Sequence, residues 1–230
     1  MTGAPQEQRV RLALADDDAM VRAGVAAVLS SDPTIEVVGE AVDGRATVEL
    51  VRRHRPDVVL LDIRMPGLDG LAALPAVLGA CPDTAVMMLT TFSEGDYVAR
   101  AISGGARGFV LKAGAPRELI LGVHSVAEGG AFFSPSVARW LVENTGYAHT
   151  TARTRARRAL DGLSPRHTDV LALVAAGSSN AQIARKLHLA EGTVRIYVSA
   201  ILDQLGVANR VQAAILAHEA GIGRDPEPGT

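Results

Sequence analysis

The residues whose side chains could take part in chemistry follow short, mostly apolar stretches. They are Asp16 and Asp17 after residues 10–14, Asp62 after 58–61, Thr90 after 86–89 and Lys112 after 109–111. Clustered carboxylates suit a hard cation such as Mg²⁺ and would repel each other without one. A lysine supplies a compact positive charge for anionic oxygens, and a threonine supplies a hydroxyl. Together they predict a pocket that holds a phosphoryl group on Asp62, although Asp62 alone could simply begin a turn.

These residues need a scaffold that brings the ends of separate apolar runs together. Apolar runs alternate five times with stretches of helical spacing between residues 10 and 128. This alternation predicts an α/β doubly wound domain with a parallel five-stranded sheet and right-handed crossovers. Sites in such sheets form outside the carboxyl ends of the strands. Asp18 is predicted to cap the first helix, which leaves Asp16 and Asp17 available for the pocket.

Composition excludes several classes of protein. The 230-residue chain is 48% hydrophobic, but no apolar run approaches the ~20 residues that cross a membrane. Residues 1–7 are polar and lack the apolar core of a signal peptide. A single cysteine, Cys81, excludes an intramolecular disulfide framework. We therefore expect a cytoplasmic protein that does not associate with a membrane.

Charge is unevenly distributed along the chain. Residues 1–130 carry 12 Lys and Arg against 17 Asp and Glu, a net charge of −5, and residues 164–222 carry 5 against 4, a net charge of +1. The stretch between them contains Arg153, Arg155, Arg157 and Arg158. Such a basic stretch is typical of a solvated linker and occasionally of an arm that contacts phosphates.

Residues 163–222 contain four stretches of helical spacing. Ser164-Pro165 is typical of a helix start, and residues 179–182 fit a capping box. Residues 193–205 carry an apolar stripe opposite Arg195, Ile196 and Ser199. Two short helices joined by a tight turn suggest helix-turn-helix DNA binding, although periodicity alone favours a plain helical bundle.

Four ordered motifs in residues 8–128 resemble the receiver domain of bacterial two-component response regulators. They are Asp16-Asp17, residues 60–66 with the sequence LLDIRMP, Leu89-Thr90 and residues 108–112 with the sequence GFVLK. The resemblance implies a flavodoxin-like fold in which Asp62 accepts a phosphoryl group from a sensor histidine kinase.

The resemblance also implies a metal site and a switch. Mg²⁺ would be bound by Asp17, Asp62 and the backbone carbonyl of Arg64, with Asp16 acting through water. The residues that would respond to the phosphoryl group are Thr90, Phe109 and Lys112.

Residues 163–222 resemble the LuxR-type DNA-binding domain in three segments: 163–166, 177–184 and 192–195. With a receiver in front, the arrangement is that of NarL/FixJ-type regulators. The resemblance implies that helix 192–205 recognises double-stranded DNA and that helix 210–220 serves dimerisation. The residues expected to contact DNA are Arg185, Lys186, Thr193, Arg195, Ile196 and Ser199.

Two departures from this family affect DNA binding. Ala190 stands where the family usually has Ser or Thr, so the recognition helix should lack a side-chain cap, at a cost of ~1 kcal/mol. The net charge of +1 over residues 164–222 is low for a DNA-binding domain.

We therefore divide the chain into a receiver domain (8–128), a linker with a helix at about 134–145 (129–162), a LuxR-type helix-turn-helix domain (163–222) and a disordered tail (223–230). The expected protein is not an enzyme; it controls transcription through phosphorylation on Asp62, homodimerisation and DNA binding. One alternative is a phosphatase or phosphotransferase with an Asp nucleophile, but those enzymes need a second Asp where Arg64 stands. The other is an interaction module without phosphate control, against which the intact pocket argues.

Overall fold

The structure is a computed structural model that describes residues 9–91, 95–145, 160 and 162–222. The chain divides into two compact units, Met1–Ala127 and Glu128–Thr230. The predicted linker arginines (Arg153, Arg155, Arg157 and Arg158) and the predicted disordered tail (223–230) lie outside the described residues. Among the helices that are described, none combines the length and the apolar character that a membrane span requires.

The first unit alternates strands and helices five times. Strands β1–β5 are Val10–Ala15, Ile35–Ala41, Val58–Asp62, Ala85–Thr90 and Gly108–Leu111. Helices α1–α5 are Ala19–Leu29, Gly44–His54, Gly70–Ala80, Gly95–Ser103 and Pro116–Ala127. The pairs β1–β2, β1–β3, β3–β4 and β4–β5 are all parallel. This topology confirms the predicted doubly wound fold.

The structure adds a short sixth strand to the five core strands that the sequence predicts. Strand β6 (Phe132–Phe133) takes the edge position, so the sheet order is β2-β1-β3-β4-β5-β6. The sequence prediction assigned these residues to the linker that follows Gly129-Gly130. A run of two residues is too short to show the alternation or apolar length by which a strand is recognised.

Central strands β3 and β4 are buried along their full length. Burial on both faces is what the continuous apolar runs predict for a parallel sheet covered by helices. The register places Asp62 opposite Leu89 and Thr90 opposite Leu111. Asp62, Thr90 and Lys112 therefore emerge from neighbouring strands at the same edge.

The start of α1 follows the predicted cap. A carboxylate oxygen of Asp18 accepts backbone hydrogen bonds from Met20 at 2.8 Å and Val21 at 3.2 Å. These bonds lower the pKa of Asp18 below its ordinary value. Because Asp18 serves the helix, Asp16 and Asp17 remain available for the edge of the sheet.

From Pro135 onward, the second unit is helical in its described part. Its helices are α6 (Pro135–Thr145), α7 (Pro165–Ala175), α8 (Asn180–Leu187), α9 (Glu191–Leu205) and α10 (Arg210–Ala220). The last four enclose a core whose buried members include Val170, Leu171, Ile183, Val194, Ile201 and Ala217. The predicted capping box is confirmed, because Ser179 Oγ accepts from the Gln182 amide and Gln182 Oε1 accepts from the Ser179 amide.

Candidate functional site

Three carboxylates meet at the carboxyl edge of the sheet in the first unit. One oxygen from each of Asp16, Asp17 and Asp62 lies within 4.8 Å of the other two. Asp16 and Asp62 are buried, whereas Asp17 is exposed. A cluster of hard oxygen donors with one side open to solvent fits Mg²⁺, which binds a few carboxylates and keeps several waters.

Lys112 lies between the two buried carboxylates. Its Nζ atom is 2.7 Å from Asp16 Oδ2 and 2.9 Å from Asp62 Oδ2. Within the described residues, this ion pair is the one polar contact of Asp16 Oδ2, which is buried. That oxygen can therefore still coordinate a cation or accept a hydrogen bond from a water, which supports the fit of Mg²⁺ to this pocket.

Burial and charge shift the ionisation of this cluster. Burial raises the pKa of Asp62 above its ordinary value; contacts with Lys112 oppose that shift, and the Asp16 carboxylate reinforces it. Burial disfavours the Lys112 ammonium, but its hydrogen bonds to Asp16 and Asp62 outweigh that effect and raise the pKa of Lys112. The lysine is therefore held as a cation beside the carboxylate that the sequence predicts to be the nucleophile.

The remaining wall of the pocket comes from the ends of β3 and β4 and from α4. A cavity of about 350 Å³ is lined by Asp17, Asp62, Arg64, Thr90, Tyr97 and Lys112, among others. The Arg64 guanidinium lies 5.8 Å from the centre of the Tyr97 ring. Phe109 is fully buried in β5 and is not among the residues that line this cavity. The structure thus brings the predicted metal ligands, Thr90 and Lys112 together, and leaves Phe109 buried in β5 outside the lining of the cavity.

Gly70 is a site residue that sequence reasoning missed. It begins α3, and a Cβ atom there would lie 1.9 Å from the carbonyl oxygen of Asp62. Its amide donates to the carbonyl of Ile63 at 3.0 Å. Only glycine permits this close approach, which holds the loop after Asp62 against the start of α3. The Pro66-Gly67 pair that follows Asp62 is typical of a turn, but nothing in the sequence indicates this contact.

The second unit presents a helix-turn-helix. Helix α8 ends at His188, which adopts the left-handed conformation with φ 52°. Arg166 of α7 donates to the carbonyl of Leu187 at 3.2 Å and so joins α7 to the end of α8. Helix α9 packs its buried residues Val194 and Ile201 into the core. It ends at Leu205, the predicted limit, and is capped by Gly206, which has φ 64°.

The residues predicted to contact DNA lie mostly on the open surface of this motif. Arg185 and Lys186 are exposed in the last turn of α8, and Thr193 is half-buried near the start of α9. Arg195, Ile196 and Ser199 are exposed, and Ile196 retains 70% of its surface. A single exposed apolar side chain is common on protein surfaces, so this exposure leaves Ile196 accessible to DNA but does not by itself mark a contact surface.

We expect Ala190→Ser to stabilise α9. Ala190 is exposed, has extended backbone angles (φ −76°, ψ 146°) and provides no side-chain cap. A serine hydroxyl there can accept an orphan amide of the first turn, worth ~1 kcal/mol. Among the backbone amides of residues 191–205, those that exchange through local unfolding of α9 should exchange roughly fivefold more slowly. Ala190→Val lacks an acceptor and should not slow exchange; equal slowing in both variants would contradict a capping effect.

Two family models match the chain. The response regulator receiver domain matches residues 12–124, and the luxR family of bacterial regulatory proteins matches residues 161–217. The chain is 32% identical over 216 residues to the nitrate/nitrite response regulator protein NarL of Escherichia coli K12, covering 94% of this chain and 98% of that protein.

Solved structures agree with these matches. The crystal structure of response regulator ChrA from a heme-sensing two-component system is 32% identical, with 94% of this chain and 99% of that chain covered and a TM-score of 0.51. The complex of the response regulator RcsB with DNA is 25% identical, with 92% and 98% covered and a TM-score of 0.55. The chain therefore belongs to the NarL/FixJ-type family of DNA-binding two-component response regulators.

Proposed function

We propose that this regulator is switched by phosphorylation of Asp62 by a cognate sensor histidine kinase, and that the phosphorylated protein binds double-stranded DNA as a homodimer. The observation that supports this most directly is the Lys112 ammonium within 2.9 Å of both Asp16 and Asp62, beside three clustered carboxylates. We retain the division into receiver (8–128), linker (129–162) and LuxR-type domain (163–222) as part of this proposal.

The chemistry assigned to Asp62 is nucleophilic attack. A carboxylate oxygen of Asp62 forms a bond to the phosphorus of a phosphohistidine, the P–N bond breaks and the imidazole leaves with the electron pair. The backbone amide of Arg64 and the Lys112 ammonium both favour the ionised form of Asp62 and hold its carboxylate in place. Asp62 then carries an acyl phosphate next to Lys112, whose charge compensates the added negative oxygens.

We assign the metal site to Asp16, Asp17, Asp62 and the backbone carbonyl of Arg64. Mg²⁺ bound there would neutralise the carboxylates and polarise the oxygens of the incoming phosphoryl group. Asp17 and Asp62 would bind the ion directly and Asp16 through a water, while Asp16 also pairs with Lys112. Thr90 and Lys112 would contact the phosphoryl oxygens, and the buried Phe109 would respond to the movement of Thr90.

The phosphoacceptor role is favoured over an enzymatic one. A phosphatase or phosphotransferase with an Asp nucleophile places a second acid two residues later, and here Arg64 occupies that position. Arg64 cannot act as a general acid at neutral pH, because a guanidinium does not give up its proton in proteins.

The proposal is tested by DNA binding of the full chain with and without acetyl phosphate and Mg²⁺. Sites selected from random duplex DNA serve as ligands. We expect tighter binding when both reagents are present, and no change when either is omitted. Equal binding under all conditions would contradict control by phosphorylation. Binding without sequence preference would contradict the role in operator recognition.

We expect Arg195→Ala to reduce discrimination between DNA sites. Arg195 is exposed near the start of α9, and an arginine there can donate two hydrogen bonds to a guanine edge. Its loss should cost ~1–3 kcal/mol on preferred sites and much less on others. Competition binding across a panel of single-base variants measures the effect.

Lys186→Ala provides the matched control, because it removes one exposed positive charge from α8. A residue that contacts only phosphates should weaken all sites equally and reduce the salt slope by roughly 0.9. The predicted linker arginines should behave like Lys186. An unchanged ranking of sites in Arg195→Ala would mean that another residue reads the bases.

A further inference from the structure

Arg22 contacts the backbone of the loop that carries the acidic pocket. It lies in the first turn of α1, and its Nη1 atom donates to the carbonyl oxygen of Asp16 at 2.8 Å and of Asp17 at 3.4 Å. Its Nε atom donates to Glu40 Oε2 at 3.0 Å, near the end of β2. The Arg22 side chain is only 16% exposed. One guanidinium therefore joins α1, the β1–α1 loop and β2.

These contacts matter because the side chains of Asp16 and Asp17 differ in how they are held in place. Asp16 accepts a hydrogen bond from the Asp18 amide at 2.9 Å and pairs with Lys112. The Asp17 carboxylate is exposed and makes no such contact within the described part of the chain. The direction of Asp17 therefore depends on its backbone, and Arg22 is the side chain that contacts that backbone.

A positive charge near a cation site would ordinarily weaken binding of the cation. Here the Glu40 carboxylate lies 3.0 Å from the Arg22 guanidinium and compensates its charge. Two unit charges at that separation cancel most of each other's field at longer distance. The pair thus supplies N–H donors to the loop while adding little net charge to the pocket.

We propose that Arg22, together with Glu40, is a positioning residue that holds Asp17 toward Asp16 and Asp62 and so sets the affinity of the pocket for Mg²⁺. The inference rests on the proposed function, since it concerns the same metal site. Residues that orient metal ligands typically change metal affinity by 10–100-fold when they are removed. The rate of Asp62 phosphorylation at limiting Mg²⁺ should follow this affinity, whereas the rate at saturating Mg²⁺ should not.

The experiment measures Mg²⁺ binding to the full chain by isothermal titration calorimetry. We expect Arg22→Ala to raise the dissociation constant about tenfold. Arg22→Lys should give a smaller loss, because an ammonium can reach a carbonyl but cannot span Glu40 and the loop as the planar guanidinium does. Arg52→Ala, which removes an exposed arginine of α2, is the matched control and should leave the affinity unchanged.

Two further measurements separate positioning from stability and from charge. Phosphorylation of Arg22→Ala by acetyl phosphate should recover to near the wild-type rate as Mg²⁺ is raised. A purely structural role would lower the melting temperature without Mg²⁺ and leave the dissociation constant unchanged, which would overturn the proposal. Tighter Mg²⁺ binding in Arg22→Ala would also overturn it, because simple charge repulsion would then dominate.

The outcome for the wild-type protein distinguishes this proposal from the one on which it rests. If the wild type binds no Mg²⁺, the proposed metal site fails and the role of Arg22 fails with it. If the wild type binds Mg²⁺ and Arg22→Ala binds it equally, only the role of Arg22 fails. Should Arg22→Ala not fold, Arg22→Lys decides the question by the same comparison.

Discussion

The Asp62→Asn variant is expected to incorporate no phosphoryl group from acetyl phosphate or from a phosphorylated histidine kinase. An amide has nearly the same shape as a carboxylate but is not a nucleophile, so the acyl phosphate cannot form. The variant should still fold, because Lys112 keeps its partner Asp16 Oδ2 at 2.7 Å. Radiolabel retained on the denatured protein should fall to the background level.

Asp57→Asn is the matched control for this loss. Asp57 lies just before β3, at the opposite end of the strand from Asp62, and its Oδ2 atom accepts from the Arg11 amide at 2.8 Å. An asparagine oxygen can keep that hydrogen bond, so labelling should match the wild type. Undiminished labelling of Asp62→Asn would show that another residue accepts the phosphoryl group and would refute the assignment.

The doubly wound fold and the convergence of its polar strand ends were predictable from short-range patterns. The residues 58–61 form a central strand because continuous apolar residues need a sheet that is buried on both faces. Once the topology is parallel, Asp16, Asp62, Thr90 and Lys112 must share an edge, because every strand points the same way. The capping roles of Asp18 and Ser179 were equally local and are confirmed.

Contacts between elements distant in the sequence were not predictable in this way. The bonds of Arg22 to the Asp16 carbonyl and to Glu40 depend on how α1 packs against β2. The approach of Gly70 to the Asp62 carbonyl depends on the path of the β3–α3 loop. The periodicity of a sequence predicts the face of a helix or strand on which a residue lies. It does not predict which side chain of another element will contact that residue. Strand β6 escaped prediction for the different reason that it has only two residues.

Phosphorylation is expected to convert the protein from a monomer to a two-fold dimer. Dimerisation should in turn raise the affinity of the protein for operator DNA. A single helix-turn-helix domain with a net charge of +1 over residues 164–222 and no side-chain cap on α9 should bind DNA weakly. Two domains at half-sites about one helical turn apart bind as a unit, and the second contact benefits from a high effective concentration. The gain should be on the order of 100-fold.

Analytical ultracentrifugation with and without beryllofluoride and Mg²⁺ measures the mass, and parallel titrations measure operator affinity. Thr90→Ala tests the coupling, because Thr90 is buried at the end of β4 and lines the pocket. The substitution removes its hydroxyl but keeps its backbone carbonyl, which accepts from the Lys112 amide of the neighbouring strand at 2.8 Å. Without the hydroxyl, the variant should accept a phosphoryl group on Asp62 yet dimerise poorly.

Thr91→Ala is the matched control for this coupling. Thr91 is exposed, follows Thr90 and also lines the cavity. The substitution therefore removes a hydroxyl from the same cavity but leaves strand β4, which ends at Thr90, unchanged. It should dimerise like the wild type. A ligand can shift an equilibrium between two states only by its differential interaction with them. If beryllofluoride leaves the wild type monomeric and its DNA affinity unchanged, the pocket makes no such difference, and dimerisation as the switch fails while Asp62 remains the phosphorylation site.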